Sequence, residues 1–163
     1  MNEEMTMLKY ERVDPQERDE IVDAVYRFAT GMDLRDRALF ESAFSPEGAL
    51  DLTRAARRLG MELPVMRGRK VIADIIMDET NRIDTTHSVT NPRIVAYDGK
   101  HAHLTALVEA QNLPREDHSR HLLLKNLFTV ELSKHDGAWA IDYLQIENLW
   151  LDGDPQVLFP RAA

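Results

Sequence analysis

His87 and Asp33 are the two side chains of this sequence best suited by type and setting to move a proton near neutral pH. His87 stands in the run Asp84-Thr85-Thr86-His87-Ser88-Val89-Thr90-Asn91, where a helical pattern stops and a strand-like one begins. A histidine at the mouth of a strand, among β-branched neighbours, projects from a fixed backbone, which suits proton transfer; the plainer alternative is a packed or solvated ring. Val22, Tyr26, Ala29 and Asp33 fall at offsets of four, seven and eleven down one line of a helix. Tyr26 and Asp33 therefore share a face and are expected to aim a hydroxyl and a carboxylate into a cavity. The alternative is that Asp33 ends that helix or caps a second one, a role that Asp36 is able to take instead.

Further polar groups lie on predicted strands. Glu109 and Gln111 share a face with His103, Thr105 and Leu107 by the period of two. Asn126 interrupts the inward series Leu122, Leu124, Phe128, Val130 and Leu132, so it is either a satisfied core amide or a hydrogen-bonder in a pocket. Other chemistries find little support. There is no cysteine, and no serine sits on a sharp glycine-flanked turn, which leaves no activated nucleophile. His101 with His103, and His118 with His121, lack an obvious third ligand, so no metal is expected. Phosphate-cradling glycine loops are absent, and no cofactor is expected.

The elements that must position these groups can be read in order. Asp14-Pro15-Gln16-Glu17 is a helix start, with Asp14 as cap, Pro15 at the first helical position and Glu17 where a capping box places its acid. A second helix is expected from about Arg35 to Phe44, a turn at Ser45-Pro46-Glu47-Gly48, and a short strand over Ala49 to Thr53. From Gly68, the spacing of Ile72, Ile75, Ile76, Thr80 and Ile83 predicts a third helix with one buried stripe, which delivers the chain to His87. The rest reads as β: Asn91-Pro92 interrupts one strand, Asp98-Gly99 turns into a strand from about His101 to Asn112, and Pro114 to Asp117 is a loop. His135-Asp136-Gly137 is a further turn, before a last strand from Trp139 to Trp150. Helices segregated from a meander predict an α+β fold, with three N-terminal helices covering one face of a strongly curved, mostly antiparallel sheet that encloses a pocket.

At 163 residues the chain suits one domain, expected over 14–155, with a loose arm over 1–13 and a short tail over 156–163. Hydrophobic residues at 44% and charged residues at 29% exclude a wholly disordered chain. A formal charge of −8 argues against nucleic acid as a partner, because phosphate neutralisation needs a basic surface. Arg54, Arg57, Arg58, Arg67, Arg69 and Lys70 form a local basic stretch, read as a solvated face or as a patch for an anionic substrate or a second subunit. No apolar run approaches the roughly 18 residues of a membrane span and Met1 to Glu11 is too polar for a signal peptide, so the expected location is cytoplasmic, with no membrane partner.

Three stretches together resemble the SnoaL-like and scytalone dehydratase-like branch of the NTF2-like superfamily. They are F-A-T-G-M-D-L-R-D-R-A-L-F-E-S-A-F from Phe28 to Phe44 with the following S-P-E-G-A-L, the G-R-x-x-I helix at Gly68 running into T-T-H-S-V-T-N, and D-G-A-W-A-I from Asp136 to Ile141 with a closing Trp150. The resemblance covers about residues 17 to 154 and implies the cone-shaped fold of that superfamily. It places the family's helix 1 aspartate on Asp33 and its histidine on His87. Where the dehydratases carry a second histidine, this chain offers Glu109, Gln111 and Asn112; where they carry a tyrosine before the aspartate, it has Met32. Those departures argue against scytalone itself as substrate.

On this footing the expected activity is that of a cofactor-free lyase or isomerase, of dehydratase or cyclase type, acting on a small hydrophobic ring compound. If Asp33 accepts a hydrogen bond from one ring nitrogen of His87, it fixes the tautomer and stabilises the imidazolium, and the other nitrogen is left to take and return a proton. Tyr26 or Asn126 would donate to the oxygen where charge develops, Gln111 would contact substrate, and Glu109 would serve as a second acid or base. Two alternatives are a non-catalytic component like the β subunit of an aromatic-ring hydroxylating dioxygenase, and a small-molecule binding module. The resemblance also implies a homo-oligomer, dimer or trimer, with the open sheet face covered by another copy.

Overall fold

The computed structural model describes residues 13–158. The expected N-terminal arm lies outside the described residues except for Val13. Helix α1, Pro15–Asp33, starts as its sequence dictates: Oδ1 of Asp14 accepts from the Gln16 and Glu17 N–H groups at 2.9 and 3.4 Å, and Pro15 opens the first turn. The capping box is not completed. The Glu17 carboxylate turns away to the Trp139 indole N–H at 2.8 Å and to Lys134 at 2.5 Å, tying the helix start to the far end of the sheet.

Helix α2, Arg37–Ser42, is capped by Asp36, whose Oδ1 accepts from the Leu39 N–H at 3.0 Å. It packs so closely on α1 that a Cβ on Gly31 would lie 2.5 Å from the Phe40 nitrogen, which explains glycine at that position in mid-helix. Strand β1, Phe44–Asp51, corrects the expected turn: Ser45 to Gly48 lie within the strand as an irregularity, between Phe44 paired with Ile141 and Ala49 paired with Tyr143. Beyond it comes an unexpected helix, α3, Thr53–Arg58, then the two-residue strand β2, Met66–Arg67, and helix α4, Arg69–Glu79. Residues Ile72 and Ile76 of α4 are buried as expected, whereas Ile75 is exposed at the rim of a cavity.

Strands β3, Ile83–Tyr97, β4, His101–Pro114, β5, Leu122–His135, and β6, Ala138–Gly153, form the expected meander. Asn91-Pro92 is a bulge in β3 rather than a break: Asn91 takes φ of 52° and the register with β4 shifts between Thr90 and Arg93. The sheet order is β2-β1-β6-β5-β4-β3, with every pairing antiparallel except β1 with β6. The sheet is curved and unclosed, with β3 as one edge. Its concave face packs on α1, α2 and α4 through a core that includes Phe28, Phe40, Phe44, Phe128, Trp139 and Ile141. Each such side chain, fully buried, contributes about 1.5–3 kcal/mol.

The start of the expected tail is also structured. Pro155–Val157 forms a 3-10 turn, and Val157 packs with Ile83, Ala110, Leu122 and Leu124 in a second, smaller core. No helix among the described residues is long and apolar enough to cross a membrane.

Candidate active site

Asp33 ends α1, where the negative end of the helix dipole disfavours a carboxylate and no basic residue sits in the last turn. Three donors from β3 offset that cost. Oδ1 accepts from the Thr85 hydroxyl at 2.9 Å, Oδ2 accepts from the His87 backbone N–H at 2.7 Å, and Oδ1 meets His87 Nδ1 at 2.5 Å. The edge position of β3 makes this possible, because alternate N–H groups of an edge strand point away from the sheet and are free for other acceptors. With Asp36 capping α2, nothing in the helix termini competes for Asp33.

The His87 side chain is only 6% exposed, and its ring packs edge-to-face with that of Phe28, centroids 6.4 Å apart. Its ring lines a cavity of about 400 Å³ between the concave face and helices α1, α3 and α4, while Asp33 stands behind it. Nδ1 is taken by Asp33, and Nε2 has no hydrogen-bond partner among the described residues. The wall is overwhelmingly apolar, with Met32, Leu50, Leu59, Met61 and Ile146 among its members. Its polar exceptions are His87, Asn112, Asn126, Thr80 and Glu79.

The other expected site residues divide. Asn126 lies on the cavity wall, between Leu124 and Phe128 along β5. Tyr26 does not: it is 44% exposed. At about 100° per residue, the stripe that α1 buries is centred on Ile21, Val25, Phe28 and Met32, and the line through Tyr26 and Asp33 runs along its flank. Asp33 is reached there by β3, and Tyr26, two turns earlier, is left in solvent. Glu109 and Gln111 are also misplaced, because the inward face of β4 is the even series Ala102 to Asn112. Glu109 instead makes a close ion pair with Lys125 beside a smaller hollow on the opposite face, which also holds Ser88, Leu107 and Trp150. Gln111 lines neither cavity, and its Nε2 is buried without a partner.

Asn112, one of the three residues that stand where the dehydratases carry a second histidine but the one given no role, takes the inward position on β4 and lies on the cavity wall. One part of the site was not expected. Helix α3 and the following Leu59 to Pro64 close one side of the cavity, and their signal is the helical spacing of Leu52, Ala55, Ala56 and Leu59. In the basic stretch, Arg54 reaches Glu147 at 3.1 Å, and Arg57 and Arg58 are exposed on the outside of α3. Among the described residues, no group of three or more His, Asp or Glu side chains converges as a metal site would.

A family model described as a SnoaL-like domain matches residues 15–145. Terrestric acid biosynthesis cluster protein E of Penicillium crustosum is 29% identical over 144 residues, covering 85% of this chain and 86% of the relative. Three solved structures share the fold at low identity. A Novosphingobium aromaticivorans protein provisionally named an aromatic ring hydroxylase superposes with a TM-score of 0.78 at 17% identity, over 90% of this chain and 99% of the other. A protein of the same organism provisionally named a scytalone dehydratase gives 0.72 at 14%, over 91% and 96%. The hexachlorocyclohexane dehydrochlorinase LinA-type3 of Novosphingobium barchaimii gives 0.71 at 18%, over 85% and 90%. These structural likenesses speak for the scaffold, which hosts more than one chemistry. The family match spans most of the chain and agrees with the curved sheet and its helices: the chain belongs to the SnoaL-like family of the NTF2-like superfamily.

Proposed function

We propose that this protein is a cofactor-free lyase or isomerase, of dehydratase or cyclase type, which acts on a hydrophobic ring compound through Asp33 and His87. The observation that carries the reading is the 2.5 Å contact between Asp33 Oδ1 and His87 Nδ1, with the other face of the same ring on the wall of an apolar cavity. A substrate C–H next to a carbonyl meets Nε2, which takes the proton while the C–H electron pair moves toward the carbonyl oxygen as an enolate. The enolate then either expels a leaving group from the neighbouring carbon, with Nε2–H returning the proton to a departing hydroxide as water, or takes the proton back at a different carbon. Asp33 keeps its hydrogen bond from Nδ1 throughout and balances the charge on the ring. The Asn126 amide donates to the enolate oxygen, a role worth a few kcal/mol.

The relatives support the reaction class. By their names, the dehydrochlorinase removes hydrogen chloride from hexachlorocyclohexane, and the protein provisionally named a scytalone dehydratase removes water from scytalone. The curated relative belongs to a small-molecule biosynthesis cluster. The structural neighbour provisionally named an aromatic ring hydroxylase supports a second reading, that of an assembled non-catalytic subunit. That role makes no use of an imidazole open to a cavity. The test is a thermal-shift panel of hydrophobic ring compounds followed by product analysis with the wild-type protein and His87→Ala. Products made by the first and not the second support the enzyme; binding with no product at all leaves only a binder. We also expect a homodimer or trimer, because Leu107, Leu149 and Trp150 lie exposed together on the outer sheet face; size-exclusion chromatography with light scattering reads this directly.

A further inference from the structure

Asp33 and His87 meet at two points. The His87 backbone N–H donates to Oδ2 of Asp33 at 2.7 Å, and Nδ1 lies 2.5 Å from Oδ1. The same two contacts recur in a tight turn elsewhere in the chain, where Asp98 Oδ1 accepts from the His101 N–H at 2.7 Å and Oδ2 meets His101 Nδ1 at 3.0 Å. That second pair is an internal control. Its side chains are 65% and 63% exposed, and it lies on the wall of neither cavity. The two pairs differ in which oxygen takes a third donor. In the turn the third donor is the Lys100 N–H, which goes to Oδ1 and leaves the oxygen facing the ring with the imidazole alone among the described residues. At Asp33 the third donor is the Thr85 hydroxyl, which goes at 2.9 Å to Oδ1, the oxygen that faces the ring.

Two contacts from one residue do not fix a carboxylate. The terminal torsion of an Asp side chain is broad, and so is that of a His ring, so such a pair is able to rock together without losing either contact. A third point must come from another residue. Thr85 lies two positions before His87 on β3 and so on the same face, and its branched Cβ restricts where the hydroxyl points. That hydroxyl has no other hydrogen-bond partner among the described residues, and Thr85 lines neither cavity. It is aimed at the acid and not at a ligand. Thr86, the next residue, is exposed on the other face of the strand.

We infer that Thr85 is a positioning residue: its hydroxyl pins Oδ1 of Asp33 opposite Nδ1 of His87, and thereby holds the imidazole with its other nitrogen toward the cavity. This rests on the reading of His87 as the base. With both oxygens of Asp33 engaged as acceptors, the proton of the short contact belongs to Nδ1, and Nε2 keeps the lone pair that proton transfer needs. Thr85 acts on the reaction through Asp33 and His87, without touching substrate.

Three variants test this. Thr85→Val removes the hydroxyl at nearly constant shape, Thr85→Ser keeps it, and Thr86→Val makes the same change at the neighbouring exposed position. The first readout is proton NMR of isotope-labelled protein, which needs no substrate. The wild type is expected to show a far-downfield Nδ1–H resonance that His87→Ala lacks. Thr85→Val should lose or broaden it, while Thr85→Ser and Thr86→Val keep it. The second readout is deuterium incorporation from D₂O into 1-tetralone. Thr85→Val should lower kcat roughly 10- to 100-fold with KM within about twofold, the span of one hydrogen bond to a carboxylate. Thr85→Ser should recover most of that loss, and Thr86→Val should show none. If Thr85→Val keeps both the resonance and the wild-type kcat, the inference is overturned while the proposed reaction stands. An equal loss in Thr86→Val makes the effect one of strand structure and overturns it too. No exchange by the wild-type protein overturns the proposed reaction, and is told apart by the NMR comparison, which reads the pair without substrate.

Discussion

Asp33, at the end of α1, and Asp51, at the end of β1, are two carboxylates each held by several hydrogen bonds, and their surroundings differ in one respect. Asp51, at the end of β1, is buried, and accepts from the Thr53 hydroxyl at 2.6 Å, the Thr53 N–H at 2.9 Å, Gln145 at 3.2 Å and, closely, the Tyr143 hydroxyl. Burial by itself pushes its pKa up, but those hydrogen bonds outweigh it and hold the carboxyl well below the usual carboxylate range; the same contact pushes the Tyr143 phenol up. Asp33 is half-buried and less enclosed. Burial and hydrogen bonding alone would therefore rank Asp51 above Asp33, the acid of the proposed dyad. What separates them is the last partner: every donor to Asp51 ends there, whereas His87 carries a second nitrogen that opens on a cavity.

That contrast can be broken by substitution. His87→Ala is expected to have the largest effect, a loss of turnover of 10²- to 10⁴-fold with an unchanged folded-state circular dichroism spectrum. Asp33→Asn should cost a comparable factor in kcat and little in substrate affinity, measured by steady-state kinetics. Asp51→Asn should do the opposite, lowering stability by about 2 kcal/mol at neutral pH while sparing turnover. The sign of its pH dependence follows from the depressed folded-state pKa: the stability that Asp51 contributes is present above about pH 4 and is lost as the pH falls below it. Denaturant melts of wild type and Asp51→Asn should accordingly converge toward acid. Gly31→Ala, which forces a Cβ against the Phe40 backbone, should cost about 1–3 kcal/mol in the same melts. Glu109→Gln, on the outer face, should change turnover by less than about twofold, because an ion pair of that exposure is worth roughly 0–1 kcal/mol.

The sequence was most legible where one local rule had one outcome. The helix start at Asp14 and the turns at Asp98-Gly99 and Asp136-Gly137 follow from the chemistry of neighbours in the chain. The change from helix to strand before His87 was legible but its place was not: α4 ends at Glu79 and β3 begins at Ile83, four residues ahead of His87, because an isoleucine at helical spacing serves equally well as the first buried residue of a strand. Asp33 could be read because Asp36 was available for the competing cap. Tyr26 was misread because helical spacing gives a line without saying how far along it the sheet reaches. Glu109 and Gln111 were misread because a period of two gives two faces, and the polar one was taken as the pocket. The small apolar series Ala102, Leu104, Ala106, Val108 and Ala110 was the better guide to the inward side. Helix α3 was hidden by its arginines. Thr85 stands in the same stretch as His87, but its role was not legible, since its contact with Asp33 depends on where α1 meets the edge of the sheet.

In the proposed reaction His87 takes a proton from a carbon acid inside the cavity. Its most direct test is the incorporation of deuterium from D₂O into 1-tetralone at the carbon beside the carbonyl, followed by mass spectrometry. The account predicts exchange accelerated by the wild-type protein and lost to at least a hundredfold in both His87→Ala and Asp33→Asn. Equal exchange by the wild type and His87→Ala would contradict it.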